Sequence, residues 1–164
     1  MTWKTIRQYA FIILLGVGLS FFIQQVAYAQ VIVQQHSMQY TYEPGDRLLE
    51  NKWIYYVNSP EKGDVVILRE PGSDRRLIKR VVATAGDTID MRNGQLIIND
   101  QPLTESYARG RTESKGIELP LTIAEGEVFV IGDNREVSID SRSFGAIPEE
   151  SIEGKIIAKV WPLF

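Results

Sequence analysis

The sequence predicts a mostly-β domain built from antiparallel sheets and preceded by a single N-terminal transmembrane helix. Three observations carry that prediction. Between Arg7 and Glu43 no Asp, Glu, Lys or Arg occurs, and His36 is the one residue there that ionises near neutral pH. Every later apolar run is short, rich in Val and Ile, and bounded by Gly, Pro, Asp or Asn. After residue 30 no stretch sustains a 3.6-residue period. With 164 residues, 44% of them apolar, the chain can bury one core of ordinary domain size.

Residues 1–30 read as a short cytoplasmic stub and a membrane anchor. YAFIILLGVGLSFFI (9–23) is continuously apolar or small, and continuation through QQVAYAQVIV brings it to the roughly 20 residues a bilayer requires. Lys4 and Arg7 on its N-terminal side put that end in the cytoplasm and residues 31–164 outside, at the cell membrane. A cleaved signal peptide is the other reading, because Ala27-Tyr28-Ala29 has the small-x-small form of a cleavage site. Either way the domain is exported.

Strands are expected from QVIVQ (30–34), DRLLE (46–50), GDVVILRE (63–70), LIKRVVATAG (77–86), EVFVIGD (127–133) and KIIAKVW (155–161). TIDMRNGQLIINDQPL reads as a hairpin, with Asn93-Gly94 supplying positive φ angles and Asn99-Asp100 offering a second turn. Residues from about 101–124 are polar and turn-rich, and read as a small insertion or a long loop.

Composition narrows the chemistry. There is no cysteine and one histidine, His36, so disulfide frameworks, thiolate metal sites and a cysteine nucleophile are excluded. A net charge of -3 with 18 scattered Lys and Arg gives no field for nucleic acid. In QQHSMQYTYEPGDRLLENK (34–52), Ser37 needs a base to become a nucleophile. His36 does not readily serve, since successive side chains of an extended chain point to opposite faces, and it reads as a surface or interfacial histidine. Ser59-Pro60-Glu61-Lys62 fits S-x-x-K, but strand rather than helix follows it, and the companion motifs are missing.

A lysine base must be neutral, and burial against apolar groups can lower its pKa by several units from about 10.4. Lys79 sits in an apolar strand with Leu77 and Val81 on its face, a pattern that an outward, solvated lysine also fits. IGDNREVSIDSRSFGAIP (131–148) sets Asp133, Asn134, Arg135, Ser138, Asp140, Ser141 and Arg142 between apolar strands. The plain alternative is a polar surface loop; the density of turn formers and opposite charges points to a hydrogen-bonded structure that holds a site.

At these residues the chain resembles the type I signal peptidases, of the Gram-positive kind. The resemblance runs in order through the anchor, SM (37–38) with GDRLLENK behind it, GDVVIL, LIKRVVATAGD and GDNREVSIDSRSFG. It implies a single-pass membrane serine endopeptidase, with Ser37 as nucleophile and Lys79 as general base, that removes signal peptides from exported preproteins beside the lipid membrane. Ser138 would orient the Lys79 amine, Asp140 and Arg142 would brace the site, and Asp133 and Asn134 would belong to the supporting loop. No metal or organic cofactor is implied, since the dyad supplies both groups. The family's nucleophile box reads G-x-S-M-x-P-T-L. Here Gln35 replaces the small residue, Tyr40 the proline and Tyr42 the leucine, and Ala85 stands for a proline in the lysine box. The amide of Gln35 is then a candidate oxyanion donor. Divergent relatives support pilus assembly, so a pilus-assembly factor with narrow or no proteolytic activity, acting with prepilins, is the second reading. Trp53-Ile54-Tyr55-Tyr56 and Trp161-Pro162-Leu163-Phe164 carry aromatics suited either to a lipid interface or to the core.

Overall fold

The structure, a computed structural model, describes residues 3–162, with the side chains of residues 22–26 set aside; Leu163 and Phe164, read as interfacial, lie outside the described residues. Helix α1 spans Trp3–Ala27, a stretch without proline or acidic residues. Phe11, Ile12, Ile13, Leu14, Leu15, Val17, Leu19 and Phe21 are each more than half exposed, and five consecutive positions among them point to every side of a helix. Among the described residues no helix is long and apolar enough to cross a membrane. The apolar run does not continue as helix beyond Ala27. Strand β1 (Tyr28–Ile32) takes over, because the free edge of β2 (Arg47–Asn51) offers it a ladder from Tyr28 opposite Asn51 to Ile32 opposite Arg47.

The remaining strands are β3 (Val65–Arg69), β4 (Arg76–Thr84), β5 (Thr88–Arg92), β6 (Gln95–Ile98), β7 (Gln101–Pro102), β8 (Leu121–Thr122), β9 (Glu127–Ile131), β10 (Ile147–Pro148) and β11 (Ile152–Trp161), with a one-turn helix α2 (Ser141–Phe144) between β9 and β10. They form a seven-stranded sheet in the order β1-β2-β11-β3-β4-β9-β10 and a four-stranded sheet in the order β7-β6-β5-β8. Among the described residues every pairing between these strands is antiparallel. The C-terminal strand β11 inserts between β2 and β3, so the large sheet closes only when the last segment arrives.

Strand β3 is buried on both faces. Val66 and Leu68 join Leu77, Val81, Val130 and Ile152 on one side, while Val65 and Ile67 join Val33, Met38, Leu48 and Ile156 on the other. A bulge in β4 between Val81 and Ala83 re-aims the strand, so that Val82 and Ala83 leave the first core for a third cluster with Ile89, Leu96, Phe129 and Ile131 under the small sheet. That sheet contains the predicted hairpin. Asn93 and Gly94 take φ of 56° and 81°, and Asn99 and Asp100 take 51° and 61°, the paired left-handed geometry of two-residue hairpin turns. Within 101–124 the ends pair as β7 and β8. The loop between them leans on the segment after β9, through Arg109 N–H to the Asp133 carbonyl (2.8 Å) and Lys115 N–H to the Arg142 carbonyl (3.0 Å).

Candidate active site

Ser37 stands in a loop pinched at its neck, where Val33 N–H donates to the Asp46 carbonyl (2.9 Å) and Gly45 N–H to the Val33 carbonyl (2.8 Å). Met38 is 1% exposed and inserts into the core beside Ile67, so the neighbouring serine sits at the boundary between core and groove. The turn closes through Tyr42 N–H to the Met38 carbonyl (2.8 Å). Tyr40 takes φ +79°; its N–H donates to Glu43 Oε1 (3.2 Å) and Arg109 lies over its ring. A proline can adopt neither that φ nor that hydrogen bond. Tyr40→Pro is therefore expected to lower stability by about 3 kcal/mol in urea unfolding, whereas Tyr40→Gly is tolerated; equal midpoints for the two variants would contradict the turn geometry.

Strand β4 delivers the lysine. Leu77, Lys79 and Val81 are all buried on one face, and Lys79 is 1% exposed. Its Nζ lies 2.8 Å from Ser37 Oγ and donates to the Ile78 carbonyl at 3.1 Å. Burial pulls the Lys79 amine down from 10.5 to about 8; Asp140 pulls the other way and Arg75 reinforces the drop.

The segment 132–145 braces this pair. Asn134 N–H donates to the Ser37 carbonyl (2.9 Å). Buried Asp133 accepts two bonds from Arg80 (2.9 and 2.7 Å) and one from the Thr41 hydroxyl (2.5 Å), tying β4 to the serine loop. Asp140 caps α2 and receives Arg142 Nε (2.8 Å), Arg142 Nη2 (2.9 Å) and the Gly132 amide (3.1 Å). Burial alone would raise the Asp140 carboxyl, but these bonds outweigh it and hold it below its usual range. Both Arg135 and Arg142 are 1% exposed, which requires such pairing; Arg135 is held by Glu105 (2.9 and 2.6 Å) and by Thr112 Oγ1.

Ser37, Lys79, Asp133, Asn134, Asp140 and Arg142 come together here, while Ser138 makes no hydrogen bond to the amine. Ser138 was expected to orient the Lys79 amine. Instead the Ile78 carbonyl does so, and the buried Ser138 Oγ has no hydrogen-bond partner among the described residues. It is turned over the Cα of Gly132, where only the missing side chain leaves room. Gln35 is half-buried and its Nε2 donates to the Arg76 carbonyl (3.1 Å). The Ser37 N–H has no acceptor among the described residues. His36 is exposed, and Lys62 of the S-x-x-K match pairs with Asp87 (3.1 Å).

Sequence reasoning missed Arg80, Glu105 and Thr112, and left Arg135 without a role. Arg135 and Arg80 had a signal, being charges beside apolar strands; Glu105 had none, because its partner is thirty residues away across two sheets.

Two openings meet at Ser37. One, of about 390 Å³, is lined by Val31, Val33, Ile67, Arg76 and Ile78; the other, of about 300 Å³, by His36, Leu77, Lys79, Val137 and Ile139. A serine hydroxyl against a buried amine, at the junction of two grooves on an antiparallel β domain, defines the class: a serine peptidase. The comparisons agree. The family model described as signal peptidase, peptidase S26, matches residues 6–161. A signal peptidase I from Bacillus amyloliquefaciens is 35% identical over 87% of this chain and 78% of its own length. Thylakoidal processing peptidase 1 of Arabidopsis thaliana is 36% identical over 77% of this chain, which spans 40% of that protein. A crystal structure of a signal peptidase I from Enterococcus faecalis aligns with a TM-score of 0.52 at 30% identity, covering 62% of this chain and 99% of that one. The chain belongs to the signal peptidase family, peptidase S26.

Proposed function

We propose that this chain is a serine endopeptidase that removes signal peptides from exported preproteins, with Ser37 as nucleophile and Lys79 as general base. The observation that carries the proposal is the buried 2.8 Å contact between Lys79 Nζ and Ser37 Oγ. With the amine lowered to about 8, a useful share is neutral near physiological pH, where an ordinary lysine is almost wholly protonated. The neutral amine takes the Ser37 hydroxyl proton as Oγ attacks the scissile carbonyl carbon. The Ser37 N–H, without another acceptor among the described residues, is the first donor to the developing oxyanion, and the second hydrogen of the Gln35 amide is the other. Collapse expels the product amine, which receives the proton from Lys79. Water, deprotonated by the neutral Lys79 amine, then attacks the acyl ester; the carbon–Oγ bond breaks and Lys79 returns the proton to Oγ.

Incubation with a precursor carrying a signal peptide, followed by N-terminal sequencing of the product, tests this reading: wild type releases one defined mature end and Ser37→Ala releases none. Product from Ser37→Ala would rule the nucleophile out. In the same assay Gln35→Ala is expected to lower kcat with KM little changed, and an unchanged kcat removes Gln35 from the oxyanion site.

Attachment to a lipid membrane belongs to the same proposal: α1 as a single-pass anchor, its Lys4 and Arg7 end cytoplasmic, the β domain outside. It is supported by the uncovered apolar side chains of α1 and by Trp53, Tyr56 and Val57, at 56%, 82% and 81% exposure. These sit next to the end of that helix, since Lys52 N–H donates to the Ala27 carbonyl (2.9 Å). Tyr55 instead packs on the core and donates to Asp64 (2.8 Å). For the full chain in vesicles, brominated lipid is expected to quench a share of the tryptophan emission that Trp53→Phe removes; the same quenching in both proteins excludes Trp53 from the lipid contact.

A further inference from the structure

We propose that the smaller groove holds the leaving half of the substrate and selects an apolar side chain within the first two residues after the scissile bond. This rests on the Ser37–Lys79 reading above. Both grooves reach Ser37, but Lys79 lines only the smaller one. Breaking the amide C–N bond releases an amine that needs a proton as it departs, and that proton comes from the group that has just taken one from Ser37. The leaving nitrogen therefore faces Lys79, the leaving segment runs into the smaller groove, and the acyl half occupies the larger one.

The walls of the smaller groove then decide what it accepts. Leu77, Val137 and Ile139 form them. Val137 and Ile139 are 57% and 50% exposed although apolar, and their neighbours hold them there: Ser138 and Asp140 are wholly buried, and Asp140 is locked by Arg142 and Gly132. With the alternate positions pulled inward, the two β-branched side chains stay in water, stiff at χ1 and with little rotamer freedom to lose on contact. At the rim, Arg75 is bonded to Glu70 at 2.9 and 2.7 Å, so no unpaired guanidinium is offered to an acidic residue. Covering this wall with a leucine-sized side chain corresponds to roughly tenfold in kcat/KM.

The experiment uses the full-length protein and peptides that share one acyl half and vary each of the first two residues after the cut among Leu, Ser and Asp. At one of these positions Leu is expected to exceed Ser and Asp by about tenfold in kcat/KM, and Val137→Ser with Ile139→Ser to reduce that ratio below about threefold. A second readout is partition of the acyl-enzyme between water and added leucinamide or glycinamide. The amine nitrogen bonds to the acyl carbon, the carbon–Oγ bond breaks, and the amine's proton passes through Lys79 to Oγ. Leucinamide is expected to capture more acyl group than glycinamide in wild type and no more in the double variant. Cleavage without preference at either position, or a preference that survives the double variant, overturns this inference alone; no cleavage of any peptide overturns the peptidase reading with it.

Discussion

Replacing Lys79 by methionine is expected to stop cleavage, lowering kcat by at least about a thousandfold, and to make the protein more stable at neutral pH. On the proposed mechanism the first effect follows from loss of the amine that lies 2.8 Å from Ser37 Oγ and takes its proton. The second follows from linkage. The amine titrates at 10.5 when exposed and at about 8 in the folded chain. Well below pH 8 both states are protonated, and the folded state bears the full cost of a buried charge. Between 8 and 10.5 the folded amine is neutral while the unfolded one still binds its proton, so the cost shrinks as pH rises; above 10.5 it is gone. At about 1.4 kcal/mol for each tenfold, the penalty removed by methionine is up to about 3 kcal/mol at pH 6 to 7, and it vanishes towards pH 10.5. Urea unfolding of both proteins across that range measures it, and a methionine variant no more stable than wild type at pH 6 contradicts the buried charge. The same titration sets the rate: wild-type kcat/KM should rise with pH around a midpoint of about 8.

Gly132→Ala is expected to lower kcat by about a hundredfold while the fold persists, with a stability loss of about 2 kcal/mol. Its φ is not in the left-handed region, so the objection is purely steric. An added methyl would meet Ser138 Oγ first, then the Ser37 carbonyl oxygen at 2.6 Å and Ser138 Cβ at 2.7 Å. Neither neighbour is free to yield: the Ser37 carbonyl is tied to Asn134 N–H at 2.9 Å and Ser138 is completely buried. The serine loop must shift, and a displacement of about 1 Å at a reacting atom costs on the order of a hundredfold. Wild-type kcat in this variant would show that the loop and the glycine do not share one packed unit.

Much of this site was legible in the residues. The strand carrying Lys79 read correctly because alternation is a local property: Leu77, Lys79 and Val81 share a face whatever lies across it. The segment from Gly132 to Gly145 announced itself by chemistry, since closely spaced Asp, Asn, Arg and Ser must satisfy one another when buried. Its exact bonds were not legible. That Ile78 offers its carbonyl to the amine, and that Ser138 turns away over Gly132, depend on ångström-scale packing between β4, β9 and the serine loop. Tyr40 was visible as a departure from the proline of related chains, but its left-handed backbone was not, because φ there is imposed by the turn from Met38 to Glu43.

By itself the sequence determined most of the strands, the hairpin turns and the candidate groups, and its motifs carried the resemblance to the family: apolar period, turn residues and side-chain chemistry act over a few neighbours and are written in their order. Only the tertiary structure decided which strand lies beside which, with β11 entering between β2 and β3. It alone joined Glu105 to Arg135 and Arg80 to Asp133, and turned an ordinary strand lysine into one 1% exposed. The physical reason is that burial and pairing are set by contacts between residues far apart in the chain. The Lys79 amine falls to about 8 because the surrounding sheet and loops exclude water from it.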